Sequence, residues 1–517
     1  MRLKERCRLI EPSTPVEEWE GLLGRHPGLR WVPTSAALRA AVLSDVSMSA
    51  FGLAPLTPCE LGFAQGTGLS GQLDGPLIGA EGDVFHRTNV VRTASLSKLG
   101  GGQEVGRWWE SIRRRPILPE KFPPDPETSL GNGENLGSDL RVIYLDHNAT
   151  TPVLPKVVDA MLPWLRENWG NPSSIYGLGR LSRRAVEEAR AKVAALVGAL
   201  PEQVVFTSGA TEGNNSTLHS AVFRDPSKRH VVTSAVEHSA VLAYCDYLEQ
   251  THGIEVTRLH VDSGGGLDLE SLRRSIRPDT TLVSLMWANN ETGVIWPIRE
   301  LAAIAADAGV PVHTDAVQAV AKIPVSFEDA PIDFLTLSGH KFGAPKGVGA
   351  LVVREPEKFV PLIHGGKQEH SLRGGTENVS QIVGLGAAAE LVSSAGLDPW
   401  ARIAAERDQF ERQVLASFAG ADINGCASSR LPNTSNVFLP GMDGDALVTF
   451  LDQQGICVSS GAACLESAIT PSHVLLAISG SHDLANESIR VSLGQESTED
   501  DLRQLIAALE TFAELNS

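Results

Sequence analysis

Short apolar runs alternate with longer amphipathic stretches along the chain from residue 142 onward. Runs rich in Val, Ile and Leu predict strands, and apolar residues at helical spacing predict helices. The predicted strands are 203–207, 230–234, 281–285, 310–314, 334–337 and 349–353, and the predicted helices are 155–167, 182–196, 214–223, 239–250, 269–276, 298–308, 380–394 and 399–415. This alternation predicts an α/β fold with a large, mostly parallel sheet.

The order of the elements loosens toward the C-terminus, which indicates more than one domain. We expect a large domain over 142–400 and a smaller C-terminal α+β domain over 401–517. Residues 1–141 lack sustained periodicity, and 116–140 are rich in Pro, Gly and Asn, as is typical of a linker. We predict a mostly irregular N-terminal extension over 1–141. It is either an appended interaction domain, a disordered tail or a stretch that is not natively translated.

Charge and composition exclude several classes of protein. The 517 residues contain 44 Lys+Arg and 62 Asp+Glu, a net charge of −18, which argues against binding to nucleic acid or to anionic membranes. No apolar run is long enough to span a membrane, and the N-terminus lacks the apolar core of a signal peptide. The six cysteines include no C-x-x-C pair, so we predict neither a disulfide framework nor a resident metal. We expect a soluble, cytoplasmic protein.

The segment VVFTSGATEGNN at 204–215 leads from a strand into a helix through small residues. Backbone N–H groups at the helix start, at Ala210 and Thr211, together with the Thr211 hydroxyl, suit a phosphate. The signal is weak on its own, because small residues are common at such turns.

Two further segments place ionisable side chains at strand ends. In HTDAVQA (313–319) a buried strand is followed by Asp315 and Gln318, and a carboxylate there can either hold a protonated ring nitrogen or cap a helix. In SGHKFGAPKG (338–347) Lys341 follows an apolar strand, where burial lowers the pKa of an amine and makes it nucleophilic toward a carbonyl. Ser338 and His340 can reach a phosphate from the same turn.

The segments VEHSA (236–240) and WANNETG (287–293) complete the set. The ring of His238 could stack on a planar cofactor, and Asn290 offers an amide to a phenolic oxygen. Each residue alone is more often structural. Together the segments supply a phosphate cradle, an amine for an aldehyde, an acid for a pyridine nitrogen and a stacking ring. The cofactor that fits all of them is pyridoxal 5′-phosphate.

A longer series of motifs points to a family. In chain order these are DHNATTP (146–152), GNPSS (170–174), SGATEGNN, NNETG, HTDAVQA, SGHKFGAPKG, LRGGTEN (372–378), SSGAAC (459–464) and SIRVSLG (488–494). Over about 142–517 the chain resembles the cysteine desulfurases of the class V aminotransferase-like group, which serve nitrogen fixation and housekeeping iron–sulfur cluster assembly. The resemblance implies fold type I of the pyridoxal-phosphate enzymes and a homodimer. It also implies transfer of sulfur from L-cysteine to an iron–sulfur scaffold or another acceptor protein, with release of L-alanine.

The resemblance also assigns roles to residues. Lys341 matches the Schiff-base lysine, Asp315 the partner of the ring nitrogen, and His238 the stacking histidine, which also moves protons. Gln318 and Asn290 match ligands near the ring hydroxyl, and Arg490, with Asn290 beside it, matches the clamp for the substrate carboxylate. The implied phosphate contacts are Ala210, Thr211, Ser338, His340 and Thr376, the last reaching the neighbouring subunit's cofactor.

Cys464 ends the run SSGAAC, whose small residues predict a mobile loop. The resemblance implies that its thiolate carries the sulfur as a persulfide and meets an iron–sulfur cluster only transiently, on a partner. Cys457 is predicted to be a buried strand residue, and Cys245 and Cys426 are predicted to be ordinary buried or surface thiols.

The chain departs from the family pattern at a few positions. Lys367, His370 and Gly374 stand where relatives usually show Gly, Arg and Ser, Tyr176 replaces a common His, and Gly213 replaces a common Ser. Two alternatives stay open. One is a selenocysteine lyase with the same cofactor, and the other is an inactive scaffold of iron–sulfur assembly.

Overall fold

The computed structural model of the protein describes residues 142–460 and 471–516. The expectations for residues 1–141 and for the loop that carries Cys464 lie outside these residues and stay predictions. The account that follows concerns the two described ranges.

The strands of the described residues form three sheets. In chain order they are β1 (Ile143–Tyr144), β2 (Val204–Thr207), β3 (His230–Ser234), β4 (Glu255–Leu259), β5 (Thr280–Ser284), β6 (Val312–Asp315), β7 (Phe334–Ser338), β8 (Gly349–Val353), β9 (Asp422–Ile423), β10 (Thr434–Phe438), β11 (Ile456–Cys457), β12 (Ser459–Ser460) and β13 (Ser488–Ser492).

The α-helices lie between and around these strands. In chain order they are α1 (Pro155–Arg166), α2 (Gly177–Val197), α3 (Ala210–Arg224), α4 (Ser239–His252), α5 (Leu269–Ser275), α6 (Ile298–Asp307), α7 (Val379–Ala395), α8 (Asp398–Ser417), α9 (Gly444–Gln453), α10 (His473–Ser479), α11 (His482–Asn486) and α12 (Glu499–Leu515). Within the described ranges, no helix is long and apolar enough to cross a membrane.

The largest sheet has seven strands in the order β2-β8-β7-β6-β5-β3-β4. Only β8 runs antiparallel to its neighbours, and the other pairings are parallel. Every residue of β2, β3, β5, β6, β7 and β8 is buried, as expected for strands covered on both faces. The predicted α/β fold with a large, mostly parallel sheet is confirmed.

The predicted strands and helices agree with the observed ones within a few residues at their ends. The sequence does not predict β4, because only two of its five residues, Val256 and Leu259, are apolar. The strand lies at the edge of the sheet and pairs only with β3, and Glu255 at its start is exposed. An edge strand needs no continuous apolar run, since it is not enclosed by neighbours on both sides.

The C-terminal part of the chain has its own sheet and apolar core. Strands β12-β13-β10-β9 form an antiparallel sheet, and β1 pairs with β11 in parallel. The core joins this sheet to α8, α9 and α12, and it also contains Ile143 and Leu145 from the start of the described chain. The segment after β1 is thereby held between the C-terminal sheet and the large sheet. The division at residue 400 stays a prediction.

Gly213 lets α3 lie close to the large sheet. A Cβ atom at this position would lie 2.8 Å from Cγ2 of Thr336 on β7, which is closer than real side chains approach. Thr336 in turn hydrogen bonds to the buried His313, at 3.0 Å. The small residue therefore fixes the distance between the helix and the strand that precedes Lys341.

We expect Gly213→Ser to lower the free energy of unfolding by about 1–3 kcal/mol, the usual cost of overpacking a tight core. Thr336→Ser in the same chain removes Cγ2 and should recover part of this loss. Denaturant unfolding measures both effects. Gly177→Ser is the matched control, because a Cβ at Gly177 would meet nothing within 4 Å. Equal stability of the two glycine variants would contradict the close approach.

Candidate active site

The residues singled out in the sequence meet at the carboxyl edge of the large sheet. His238 follows β3, Asp315 ends β6 and Lys341 follows β7, while α3 begins directly after β2. Ligands of open α/β sheets bind at this edge, because loops from several strands converge there. The chain thus gathers distant segments into one recess.

Lys341 is the reactive amine of this recess. It ends the short helical turn Gly339–Lys341, and its Nζ donates hydrogen bonds to the main-chain oxygens of Asn148 and Ala149, the latter at 2.8 Å. Burial lowers the pKa of Lys341 from its ordinary 10.5 to about 8, and Arg490 adds to this effect, while Asp146 and Asp315 oppose it. The amine therefore loses its proton more readily than an exposed lysine does.

Asp315 offers a fixed carboxylate beside that amine. Its Oδ2 accepts a hydrogen bond from Nδ2 of Asn214 at 2.7 Å, and its Oδ1 accepts one from the Val317 N–H at 3.0 Å. Asn214 lies on α3 and is fully buried, and its Oδ1 has no partner among the described residues. The carboxylate is thus held in place by two donors. Asn214 belongs to the motif SGATEGNN, but the motif gives no sign of this contact.

His238 caps the N-terminus of α4. Its Nδ1 accepts a hydrogen bond from the Ala240 N–H at 3.1 Å, which assigns the ring proton of the neutral form to Nε2. The surrounding protein displaces water and lowers the pKa of His238. Lys341 and His473 add to the effect, and Asp315 opposes it. A neutral ring with one N–H group can both stack on a planar molecule and exchange a proton.

Glu237 is a fully buried carboxyl group next to His238. Its Oε1 accepts hydrogen bonds from the Ser234 hydroxyl at 2.8 Å and from the Met286 N–H at 3.0 Å, while Oε2 has no partner among the described residues. Burial raises the pKa of Glu237 to about 8, so it holds its proton at neutral pH. The sequence analysis missed this residue, because nothing in VEHSA shows that the side chain points inward.

The start of α3 offers a cradle for an anion. Gly209 precedes the helix with φ 154°, and a Cβ there would meet nothing within 4 Å, so open space lies beside the first turn. Glu212 accepts a hydrogen bond from the Ser208 N–H at 2.8 Å and forms a bidentate ion pair with Arg373. Backbone N–H groups of a first helical turn suit a phosphate.

The other predicted phosphate contacts lie in different surroundings. Ser338 is buried at the end of β7, and Nδ1 of the half-buried His340 lies 3.2 Å from the Thr150 hydroxyl. Burial lowers the pKa of His340 to about 4, and Lys341 adds to the shift. Thr376 is exposed. Its predicted role depends on a second subunit and stays a prediction.

Arg490 and Asn290 meet at the C-terminal side of the recess. The Arg490 guanidinium is 2% exposed, and it donates to Asp146 Oδ1 at 2.8 Å and to the main-chain oxygen of Asn290 at 3.1 Å. It also donates to the Ser459 hydroxyl at 3.1 Å, while its Nε has no partner among the described residues. The side chain is therefore rigid and retains a donor for an anionic group.

Asn148, from the segment DHNATTP, hydrogen bonds to residues of the large sheet's edge and to residues of the C-terminal side of the recess. Its main-chain oxygen accepts from Lys341 and from Gln318 Nε2, the latter at 3.0 Å. Its Nδ2 donates to the Asn290 main-chain oxygen at 3.2 Å and to the Thr434 hydroxyl at 2.9 Å. The motif itself was the available signal for this residue, but only the contacts show that it is a central acceptor and donor.

A strained loop leads toward Thr376. Glu369, His370 and Ser371 have φ values of 43°, 56° and 70°, a region that favours glycine. The buried Glu369 carboxylate holds the loop through two bonds from Arg190, at 2.6 and 3.0 Å, and one from the Phe206 N–H at 2.8 Å. The departure from the family pattern at His370 thus lies beside an anchored carboxylate.

Comparisons with known proteins identify the family of the chain. Aminotransferase class-V is the family that matches, over residues 143–505. A cysteine desulfurase of Cereibacter sphaeroides is 48% identical over 368 residues, which cover 71% of this chain and 94% of that protein. A solved NifS-like protein superimposes with a TM-score of 0.68 at 36% identity, covering 72% of this chain and all of the other. The structure of SspA in complex with cysteine gives a TM-score of 0.60 at 35% identity, covering 69% and 99% of the two chains.

The chain therefore belongs to the class-V aminotransferases and, among them, to the cysteine desulfurases. This confirms the family that the motifs indicated. The roles of the individual residues stay predictions.

We expect Glu237→Gln to change how stability depends on pH. The folded pKa of about 8 lies above the ordinary 4.5, so the wild type loses stability as the pH rises through this window. Glutamine does not titrate. The free energy of unfolding of the variant therefore rises relative to that of the wild type over the same pH window, by at most about 1.4 kcal/mol per pH unit. Denaturant unfolding at several pH values measures this difference.

Glu357→Gln is the matched control, because Glu357 is exposed. Its difference from the wild type should not change with pH. If the free energy of unfolding of Glu237→Gln also differs from that of the wild type by an amount that does not change with pH, the Glu237 carboxyl group is ionised in the folded protein.

Proposed function

We propose that this protein removes sulfur from L-cysteine with pyridoxal 5′-phosphate as cofactor, releases L-alanine and holds the sulfur on Cys464. The observation that carries the proposal is the half-buried amine of Lys341 just after a strand end, near the anchored carboxylate of Asp315. Membership of the cysteine desulfurases supports the substrate and the reaction.

The recess fits the proposed cofactor. The open space at Gly209 suits the phosphate, and the carboxylate of Asp315 suits a protonated ring nitrogen. Lys341 would bond to the aldehyde and His238 would stack on the ring. When bound, pyridoxal 5′-phosphate supplies an electron sink for the bonds at the substrate's Cα atom.

Residues of the chain then bind the substrate and move its protons. Arg490, with its unpartnered Nε, binds the carboxylate of L-cysteine as a planar, permanently charged donor. Lys341 takes the Cα proton, since burial keeps its pKa within reach of neutral pH. His238 exchanges a proton at the substrate's sulfur through its neutral ring.

The sulfur transfer balances without an external oxidant or reductant. The Cys464 thiolate attacks the substrate's sulfur, so that an S–S bond forms as the Cβ–S bond breaks. The electron pair of the broken bond becomes a C–H bond once Cβ takes up a proton, which gives alanine. Cys464 retains a persulfide, which an iron–sulfur scaffold or another acceptor protein then takes over.

A homodimer is the proposed assembly. Large apolar side chains are exposed around the end of α1 and the start of α2, where Trp169 is 72% and Ile175 is 89% exposed. Neighbouring Leu165 and Tyr176 are exposed as well, and a patch of this kind favours a protein interface. Thr376 would then contribute to the neighbouring subunit's site. The proposed location is the cytoplasm, which the scarcity of cysteines supports.

Light scattering on the purified protein is expected to give twice the chain mass. Trp169→Lys combined with Ile175→Lys should lower this mass toward that of one chain, because charges would be buried in the interface. Val142→Lys serves as the control, since Val142 is also exposed but lies outside the patch. A dimer that is unaffected by the paired change would locate the interface elsewhere.

A single turnover with L-cysteine and no reductant tests the reaction. We expect one alanine per active site and a gain of one sulfur on the peptide that contains Cys464, as measured by mass analysis. Cys464→Ser should abolish the gain and leave the visible colour of the bound cofactor intact. The matched control is Cys426→Ser, because Cys426 is exposed and free, and it should behave as the wild type.

Lys341→Ala should abolish alanine formation in the same experiment. Alanine without the sulfur adduct on Cys464 would mean that sulfide is released directly or that another cysteine is the acceptor. A coloured protein that converts only selenocysteine would favour the lyase, and a colourless protein would favour the inactive scaffold.

A further inference from the structure

Lys322 is a buried lysine for which the proposed reaction has no use. It lies four residues after Gln318 and is 3% exposed. Its Nζ donates to Gln318 Oε1 at 2.6 Å and to Asn148 Oδ1 at 3.3 Å. In the described part of the chain, no carboxylate lies within ion-pair distance of Lys322. A buried amine without a counter-ion is costly, so its presence calls for a role.

The groups that face Lys322 are basic or neutral. Burial lowers the pKa of Lys322 well below its ordinary value, and Lys341 and Arg490 add to the shift. His147 and His340 also lie near enough for their pKa values to be lowered by it. An uncharged amine still has two N–H donors, and Lys322 has two acceptors to match them.

The backbone adopts an unfavourable conformation to place this side chain. Ala321, directly before Lys322, has φ 65°, in the region that favours glycine. The indole N–H of Trp400 donates to the Ala321 main-chain oxygen and holds the turn. Strain of this kind persists where the surrounding structure enforces it, often at functional sites.

Lys322 and the Asn148 main-chain oxygen together determine which way the Gln318 amide points. Oε1 accepts from Lys322, and Nε2 donates to the Asn148 main-chain oxygen at 3.0 Å, beside Lys341. The opposite orientation would set two acceptors, Oε1 and the Asn148 oxygen, against each other. The amide therefore presents its NH₂ group toward the Lys341 side of the recess.

We propose that Lys322 is a positioning residue that fixes the Gln318 amide with its NH₂ group toward the ring oxygen of the cofactor. The inference rests on the proposed function, since it needs pyridoxal 5′-phosphate in the recess. A donor at that oxygen stabilises the oxygen's anionic form. Without this donor the ring oxygen becomes more basic. The bound cofactor then keeps its proton to a higher pH.

The test uses the full chain loaded with pyridoxal 5′-phosphate, without cysteine. The readout is the pH midpoint of the visible absorption band. In Lys322→Met we expect a rise in the midpoint that corresponds to about a tenfold lower proton dissociation constant, the effect of one hydrogen bond to a charged group. The matched control is Lys192→Met, because Lys192 is half exposed and pairs with Glu390, and it should keep the wild-type midpoint.

The Gln318→Leu background separates positioning from a direct effect of charge. Gln318→Leu alone should raise the midpoint, and adding Lys322→Met to it should cause no further change. Should Lys322→Met give no folded holoenzyme, Lys322→Leu replaces it, since leucine also lacks a donor.

Three results would overturn the inference. An unchanged midpoint in Lys322→Met would mean that Lys322 does not hold the amide. An equal shift with and without Gln318 would mean that Lys322 acts through its charge. A wild type that binds pyridoxal 5′-phosphate without any visible band would overturn the proposed function itself, and this inference with it.

Discussion

Buried polar side chains at the carboxyl edge of the sheet need hydrogen-bond partners, and Asn148 supplies them to Lys341, Gln318 and Lys322. Its main-chain oxygen accepts from Lys341 and Gln318, and its Oδ1 accepts from Lys322 and Asn433. Its Nδ2 donates to the C-terminal part of the chain. A buried polar group without a partner is destabilising, so these contacts fix the recess and the junction between the two sheets together.

Desolvation by the surrounding protein sets the electrostatic character of the recess. The pKa values of Lys341, His238 and His340 are all lowered, with desolvation as the largest cause. Arg490 is paired with Asp146. The recess therefore combines the guanidinium of Arg490 with a lysine of lowered pKa and two neutral histidines, a combination that suits binding an anionic substrate and moving its protons.

Close approaches of the backbone make this arrangement possible. Gly213 brings α3 near β7, and Gly209 leaves open space at the start of the helix. Two strained segments, at Ala321 and at 369–371, are held by Trp400 and by the Arg190–Glu369 pair. The strained segments lower the stability of the fold and hold a few side chains in place, as is common at functional sites.

The fold class, most strands and helices of the large sheet, and the family can be predicted from the amino-acid sequence. Periodicity and motifs are local properties, and they were enough to single out Lys341, Asp315 and His238. The tertiary structure alone decided that β4 is an edge strand, that Glu237 and Lys322 point inward, and that Asn148 joins the site. Residues far apart in the chain determine where a side chain points, how far it is buried and which hydrogen-bond partners it has. No local pattern can therefore specify them.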